Sequence, residues 1–241
     1  MSGILSARTE VVTRPAVALT LALACGVIGM SAQRPNTLTA AEKSAGWRLL
    51  FDGTTLGGWR GFTSPQPPAG WRAVDGALMR GDGGGDLMTV DQFGDFELRF
   101  EWRIAVGGNS GIMFRVTGTG AQTYETGPEF QVLDNAGHAD GKDATTSAGS
   151  NYALHPPVRD VTKPTGEWND ARLLVRGAHV EHRMNGVKLL EYELWSPDWE
   201  ARVKASKFAA WPGYGRAKRG HIVLQDHGDQ VSYRNLRIKT R

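Results

Sequence analysis

Apolar and polar residues alternate along much of the chain, which is the pattern of strands that bury one face. The clearest segment is FELRFEWRI at 96–104, in which five apolar side chains share one face and four charged ones share the other. Near the middle of the second half, an Asn185-Gly186 dipeptide separates two further alternating segments and suits a type I′ turn. The pattern therefore predicts antiparallel strands joined by hairpins.

Other short segments have the composition of strands, and glycine, at 31 of 241 residues, favours tight turns between them. About a dozen strands with no long helix predict an all-β fold, a two-sheet antiparallel sandwich or jelly roll. The further strand candidates are 47–51, 71–74, 77–80, 111–116, 129–133, 170–175, 221–225 and 231–239. The segments 135–166 and 196–219 are longer than ordinary connections, which makes them candidates for functional loops.

The N-terminus has the layout of a secretory signal peptide, with arginines ahead of an apolar run at 16–30 and small residues after it. This run is too short to cross a bilayer. Cys25 lies in an Ala-Leu-Ala-Cys-Gly sequence similar to a lipoprotein cleavage box, so a lipid tether to the membrane is the alternative to cleavage near Ala32. We expect export to the periplasm or the medium, with 1–32 as the signal, 33–45 as a polar lead-in and 46–241 as one domain.

Charge and cysteine content exclude several functions. The chain has 28 Lys and Arg against 25 Asp and Glu, and without a basic run it offers no electrostatic footprint for nucleic acid. Cleavage near Ala32 would leave no cysteine for a thiol nucleophile or a disulfide. The sequence also lacks the nucleophile elbow, the phosphate loop, the dinucleotide fingerprint and the His-Glu-x-x-His motif. Acid and base chemistry by carboxylate and imidazole groups remains.

The strongest candidate groups lie in and after the strand at 129–133. Glu129 and Gln131 share one face of it, as a sugar site on a sheet would require, although a solvated outer face has the same pattern. His138 follows in a loop and is a candidate proton-transfer group. Asp134 and Asp140 flank it and are candidate ligands for a divalent cation such as Ca²⁺. A turn in which these side chains bond the local backbone is the other interpretation.

Polar and aromatic residues elsewhere supply further candidates. A glycine-rich turn at 107–111 leads into a strand with polar groups in place of core residues. In the segment at 220–228 a histidine follows the end of the strand, where loops gather. The loop at 196–219 offers a cation and flat rings suited to sugars. These candidates are Asn109, Arg115, Lys207, Trp211, Gln225 and His227.

At these residues the sequence resembles the 3-keto-disaccharide hydrolase domain family, which is related in fold to concanavalin A-like lectins and glucanases. The resemblance runs from 47 to 239 through seven ordered blocks: LFDG at 50–53 with Trp59, NSGI at 109–112, EFQ at 129–131, GEWN at 166–169, NG at 185–186, GHI at 220–222 with LQDHG at 224–228, and RN at 234–235. The family's glycine-leucine-tyrosine element appears as GSNYAL at 149–154, and the resemblance makes Tyr152 a substrate-binding candidate. It implies a jelly roll that acts on glycosides already oxidised at C3.

Such a substrate defines the chemistry that the enzyme must perform. A ketone at C3 makes the C2 hydrogen acidic, so a base can remove it and the enolate can expel the C1 aglycone, after which water can add back. We expect Glu129 or His138 as the base, Arg115 or a bound divalent cation as the enolate stabiliser, and His227 as the acid. The sugar hydroxyls would contact Asn109, Gln131, Lys207 and Gln225. The rings of Tyr152 and Trp211 are further substrate-binding candidates.

Two other functions fit the same residues. An ordinary glycoside hydrolase needs two carboxylates about 5–10 Å apart, and Gln131 stands where a family 16 glycosidase has its second acid, although Asp134 or Asp226 can supply one. A non-catalytic, lectin-like module needs only a polar sheet face and its aromatic rings. A carbohydrate is the expected partner in all three cases.

Overall fold

The computed structural model describes Gly3 and residues 34–240. The signal and lipid-tether predictions, including the one for Cys25, fall outside the described residues. From residue 34 onward the described chain lies within one compact unit. No helix in this part of the chain is both long and apolar enough to cross a membrane.

Thirteen strands dominate residues 34–240, with two short helices and three single 3₁₀ turns between them. The strands are β1 (Trp47–Leu49), β2 (Trp59–Gly61), β3 (Trp71–Val74), β4 (Ala77–Arg80), β5 (Leu87–Thr89), β6 (Phe96–Ile104), β7 (Asn109–Val116), β8 (Glu129–Leu133), β9 (Asn169–Arg176), β10 (His179–Met184), β11 (Val187–Glu193), β12 (His221–Leu224) and β13 (Val231–Thr240). The helices are α1 (Ala40–Ser44) and α2 (Pro197–Ala205), and the 3₁₀ turns are Thr123–Glu125, Ala139–Lys142 and Lys207–Ala210.

The strands form two antiparallel sheets. The larger has the order β11-β10-β9-β6-β13-β4-β3, with β1 also paired to β13, and the smaller has the order β2-β5-β12-β7-β8. The predicted all-β, two-sheet antiparallel sandwich is therefore confirmed.

The predicted periodicity is visible in the longest elements. The five apolar side chains of β6 are each less than 5% exposed, and they face the smaller sheet, where Phe100 meets Phe130 edge-on with ring centroids 5.4 Å apart. Asn185 and Gly186 have φ angles of 48° and 80°, as a type I′ turn between β10 and β11 requires. Because Phe130 of β8 packs against the larger sheet, the opposite face of β8, which carries Glu129 and Gln131, points away from that sheet.

Two strands and one helix depart from the sequence pattern. β2 and β5 have three residues each, too few to display an alternation, and β5 is buried on both faces. The loop at 196–219 contains α2, which begins where Ser196 Oγ accepts a hydrogen bond from the Trp199 amide at 3.2 Å and a proline fills the first turn. Capping chemistry rather than hydrophobic periodicity specifies this helix.

The segment ahead of β1 is part of the domain surface. The Asn36 amide donates to Asn235 Oδ1 at 2.6 Å, the Asn235 amide donates to Asn36 Oδ1 at 2.8 Å, and Asn36 Nδ2 donates to the Gly76 carbonyl at 2.7 Å. A further ion pair joins Glu42 to Arg237 at 2.7 Å. These contacts attach residues 34–45, expected only as a polar lead-in, to the larger sheet.

Candidate active site

A cavity of about 230 Å³ opens on the face of the smaller sheet that points away from the larger one. β7 and β8 form its floor, and the loops after β8 and α2 form its walls. Seven of its nine lining residues are sequence candidates. The lining residues are Asn109, Tyr124, Glu129, Gln131, Tyr152, Lys207, Phe208, Gln225 and His227.

Glu129 carries the most perturbed carboxyl group of the cavity. Its side chain is 5% exposed, and burial raises the pKa of this carboxyl to about 8, against the lowering effect of Lys207 and with smaller contributions from Asp86 and Asp140. Removing water disfavours the charged form, so a carboxyl in this position holds its proton to higher pH than usual. It becomes a stronger base once ionised.

Gly111 provides the space that the Glu129 carboxyl occupies. A Cβ at this position would lie 1.8 Å from Glu129 Oε1 and 2.6 Å from Cδ. Gly111 pairs with Gln131 across the β7–β8 ladder, so the missing side chain leaves a gap on the cavity face of β7. The glycine is required here by close packing against a functional group rather than by backbone conformation.

The Gln131 amide stands beside that carboxyl. One end of the amide lies 2.8 Å from the Ser110 carbonyl oxygen and 3.2 Å from Glu129 Oε1. A carbonyl only accepts hydrogen bonds, so we assign the amide nitrogen to this end, where it donates to both oxygens. Gln131 thereby orients the carboxyl group of Glu129.

Lys207 is the cation of the cavity lining. Its Nζ lies 4.4 Å from the centre of the Tyr152 ring and 5.4 Å from that of Phe208, within cation–π range of both. The Tyr152 hydroxyl donates to Asp140 Oδ2 at 3.0 Å, and burial together with the Asp140 charge raises the pKa of Tyr152. Tyr152 therefore stays neutral and holds both a carboxylate and an ammonium group at the cavity wall.

A stack of buried rings holds the loop that carries Lys207. Phe208 lies on Tyr214 with ring centroids 3.8 Å apart, Tyr214 on Trp199 at 5.9 Å, and Trp199 on Tyr192 at 5.6 Å, with interplanar angles of 10°, 4° and 11°. The stack ties the loop to α2 and to β11. Lys207 is thus presented by a packed loop although its own side chain is exposed.

Two histidines meet near the cavity, with ring centroids 5.9 Å apart and edge-to-face geometry. His138 Nδ1 accepts from the Asp140 amide at 3.1 Å, which leaves the proton of the neutral ring on Nε2, 3.5 Å from Asn109 Nδ2. His227 lines the cavity, and its Nδ1 lies 3.6 Å from Asp229 Oδ2. In this tautomer His138 has no free lone pair and it does not line the cavity, so His227 is the histidine placed to exchange a proton with a bound ligand.

Arg115 does not reach this cavity. Its guanidinium group donates to the Gly94 carbonyl at 3.3 Å and to Asp95 at 3.2 Å, and lies over the Trp195 ring. Arg115 has a φ of 54° at a register shift between β7 and β12. This irregularity breaks the alternation on which the prediction depended, so the structure gives Arg115 a place in the packing and no contact with the cavity lining.

The two aspartates proposed as metal ligands have other partners. Asp134 accepts from the Gly107 amide at 2.7 Å and from the Ala136 amide at 3.2 Å, as in the turn interpretation, and Asp140 accepts from Tyr152. Within the described chain, the three-residue group that could hold an ion is His179, Glu181 and Glu191 on the β10–β11 hairpin. The cation site remains a prediction.

Sequence reasoning missed Tyr124 and Phe208 among the lining residues. Tyr124 lies in the 3₁₀ turn ahead of β8, and Phe208 follows Lys207 directly. Trp211, a candidate, packs edge-on against Tyr124 at 5.4 Å beside the cavity rather than within the lining.

A larger depression of about 470 Å³ near the Arg48–Asp91 ion pair contains none of the candidate residues.

A buried carboxyl group, amides and aromatic rings share one cavity on the face of a two-sheet antiparallel sandwich, a combination suited to binding a polar ring such as a sugar. The model of the 3-keto-alpha-glucoside-1,2-lyase-like domain matches residues 46–239, and the chain belongs to this family.

Known proteins agree with this assignment. A 3-keto-disaccharide hydrolase of Bacteroides thetaiotaomicron is 36% identical over 87% of this chain and 83% of its own length. A crystal structure from Parabacteroides distasonis, provisionally named a glycosyl hydrolase, superposes with a TM-score of 0.81 at 34% identity, covering 86% of this chain and all of the other. A second structure from that organism, with the same provisional name, has a TM-score of 0.63 at 23% identity, covering 81% and 99%, and shares the fold.

Proposed function

We propose that this enzyme cleaves the glycosidic bond of 3-keto-glycosides, 3-keto-disaccharides among them, by removing the C2 proton and eliminating the aglycone. The observation that carries the proposal is Glu129, a buried carboxyl group of raised pKa at the floor of a cavity of suitable size for a sugar. The name of the Bacteroides relative supports the same substrate class. The layout of residues 1–32 supports export as a further part of the proposal.

In the first step Glu129, as carboxylate, takes the C2 proton. The electron pair of the C2–H bond moves toward the C3 ketone, and the resulting enolate oxygen carries the negative charge. A hydrogen bond from Gln131 orients the carboxylate, and its low exposure makes it more basic than a carboxylate in water. His138, the other base expected from the sequence, does not line the cavity, and its Nδ1 lone pair already accepts from the Asp140 amide.

Lys207 takes the enolate-stabilising role that Arg115 cannot fill. An ammonium group that lies over the Tyr152 and Phe208 rings, close to the developing charge, lowers the barrier by stabilising the enolate. The C1–O bond then breaks as the C1=C2 bond forms, and His227 gives its proton to the departing aglycone oxygen. The product is a keto-glycal, which gains water across its double bond when the net reaction is hydrolysis.

Ketone dependence is the first test of this proposal. The purified chain from Gln33 onward should release a keto-glycal or keto sugar from a 3-keto-disaccharide and leave the unoxidised parent intact, as followed by mass spectrometry. Cleavage of the parent at a similar rate would instead assign an ordinary glycosidase. Saturable binding without product would assign a lectin-like module. Loss of activity with a chelator would show that a divalent cation, and not Lys207, stabilises the enolate.

The pH dependence of turnover should report Glu129. A base acts when deprotonated, so kcat/KM should rise with pH and level off above about 8, after subtraction of the uncatalysed decay of the keto sugar. Initial rates between pH 5.5 and 9 with saturating and limiting substrate give this profile. An activity that falls through pH 8 would make Glu129 a proton donor, and a rising limb retained in Glu129→Gln would assign the base to another group.

A further inference from the structure

The cavity has room for one sugar ring. Its volume of about 230 Å³ lies below the range of about 300–1,000 Å³ of pockets that bury a drug-sized ligand, so it suits a single pyranose with its hydroxyl groups. A reacting sugar whose C2 lies at Glu129 fills this space. The group attached to C1 must then lie outside the cavity, at its rim.

An aromatic pair stands at that rim. Tyr124 lines the cavity, and Trp211 packs against both Tyr124 and Phe208, with ring centroids 5.4 Å and 6.2 Å apart. Tyr124 and Trp211 are both partly exposed. In the part of the chain that the structure describes, neither the Tyr124 hydroxyl nor the Trp211 indole N–H has a hydrogen-bond partner.

Trp211 differs from the other tryptophans because it combines a partly exposed ring, an indole N–H without a partner among the described residues, and no arginine against its ring. Three of these donate the indole N–H to backbone carbonyls, namely Trp59, Trp71 and Trp195. Two lie against arginine guanidinium groups, namely Trp47 and Trp168. The last two, Trp102 and Trp199, are fully buried. A half-buried ring with a free N–H is suited to stacking on a flat ligand while donating to its polar edge.

We propose that Tyr124 and Trp211 form an aglycone subsite that binds a ring-shaped leaving group, a second sugar or an aryl ring, attached to the single keto sugar in the cavity. This inference rests on the proposed function of the cavity. It makes the enzyme specific for a terminal keto sugar. Leaving groups that present a flat ring would be favoured over small alkyl groups.

The test compares three 3-keto-glucosides with methyl, 4-nitrophenyl and glucosyl aglycones. For the wild type, kcat/KM should be higher with the two ring-bearing substrates than with the methyl one. Trp211→Ala should reduce that preference about 3- to 10-fold, the range of a lost aromatic contact, and Trp211→Phe should retain most of it. Trp168→Ala is the matched control, since it removes a partly exposed indole between Arg103 and Arg234 on the other sheet.

Equal losses on all three substrates would show that Trp211 only supports the cavity wall, and an unchanged preference would show that the rim binds no aglycone; either result overturns the subsite. If the wild type cleaves none of the three, the proposed function fails, and the subsite is then decided by titrating the unoxidised 4-nitrophenyl and methyl glucosides. Tighter binding of the aryl glucoside that is lost in Trp211→Ala supports it, and equal binding overturns it.

Discussion

Replacing Glu129 with glutamine should lower kcat by about 10²- to 10⁴-fold, the usual contribution of a positioned general base. The amide has nearly the same shape as the protonated carboxyl group, so the fold should be retained. KM for the 3-keto substrate should change much less than kcat. Near-wild-type turnover in Glu129→Gln would remove this residue from the mechanism.

The same substitution should stabilise the protein at neutral pH. The pKa of the Glu129 carboxyl is raised from 4.5 to about 8 in the folded state. Between these pH values the folded protein keeps a proton that the unfolded chain loses. The free energy of unfolding of the wild type therefore falls as pH rises from about 4.5 to 8. Glutamine has no such dependence. The gain in unfolding free energy should be small near pH 4.5, on the order of 3 kcal/mol at pH 7, and level off above about pH 8.

Urea unfolding at several pH values between 5 and 8.5 measures this gain. Glu167→Gln is the control, because Glu167 is exposed and its replacement should alter neither turnover nor the pH dependence of stability. A Glu129→Gln variant whose stability relative to wild type is independent of pH would show that the buried carboxyl is ionised throughout. Its acid-base role would then need another explanation.

Replacing Gly111 with alanine should reduce kcat on the order of 100-fold, the effect of displacing a catalytic group by about 1 Å. A Cβ would lie 1.8 Å from Glu129 Oε1, so the carboxyl must move away from its position beside Gln131. Gly57→Ala is the matched control, since a Cβ there has only an ordinary contact, 3.4 Å from Thr55 Oγ1.

A double-mutant cycle tests the stated cause of that loss. If alanine at 111 acts through the carboxyl group, Gly111→Ala should add little to the effect of Glu129→Gln, because the group that it displaces is already inactive. Both losses would multiply if the two residues acted independently. Steady-state kinetics of the two single variants and the double variant on one 3-keto substrate give this answer.

The fold was predictable where a strand is long and buried on one face. β6 and the β10–β11 hairpin show this, because their alternation and turn residues are local properties of the sequence. β2 and β5 were not predictable, since three residues carry no period. Arg115 was misplaced because a register shift in β7 interrupts the alternation, and such a shift depends on how neighbouring strands pair.

The site was predictable as a set of residues and not as a geometry. Glu129 and Gln131 share a strand face by simple alternation, but Tyr152 and Lys207 reach the cavity from loops whose paths the sequence does not specify. The raised pKa of Glu129 depends on burial by those loops and on the gap at Gly111. The contribution of Tyr124 required knowing that its 3₁₀ turn packs against β7.

The reciprocal hydrogen bonds between Asn36 and Asn235 have a practical consequence for handling the enzyme. They attach the beginning of the described chain to the larger sheet, whereas the cavity opens on the outer face of the smaller one. A support or fusion partner joined ahead of residue 34 is therefore connected through the sheet that does not carry the cavity. Immobilisation through that end should leave the cavity open to sugars diffusing from solution.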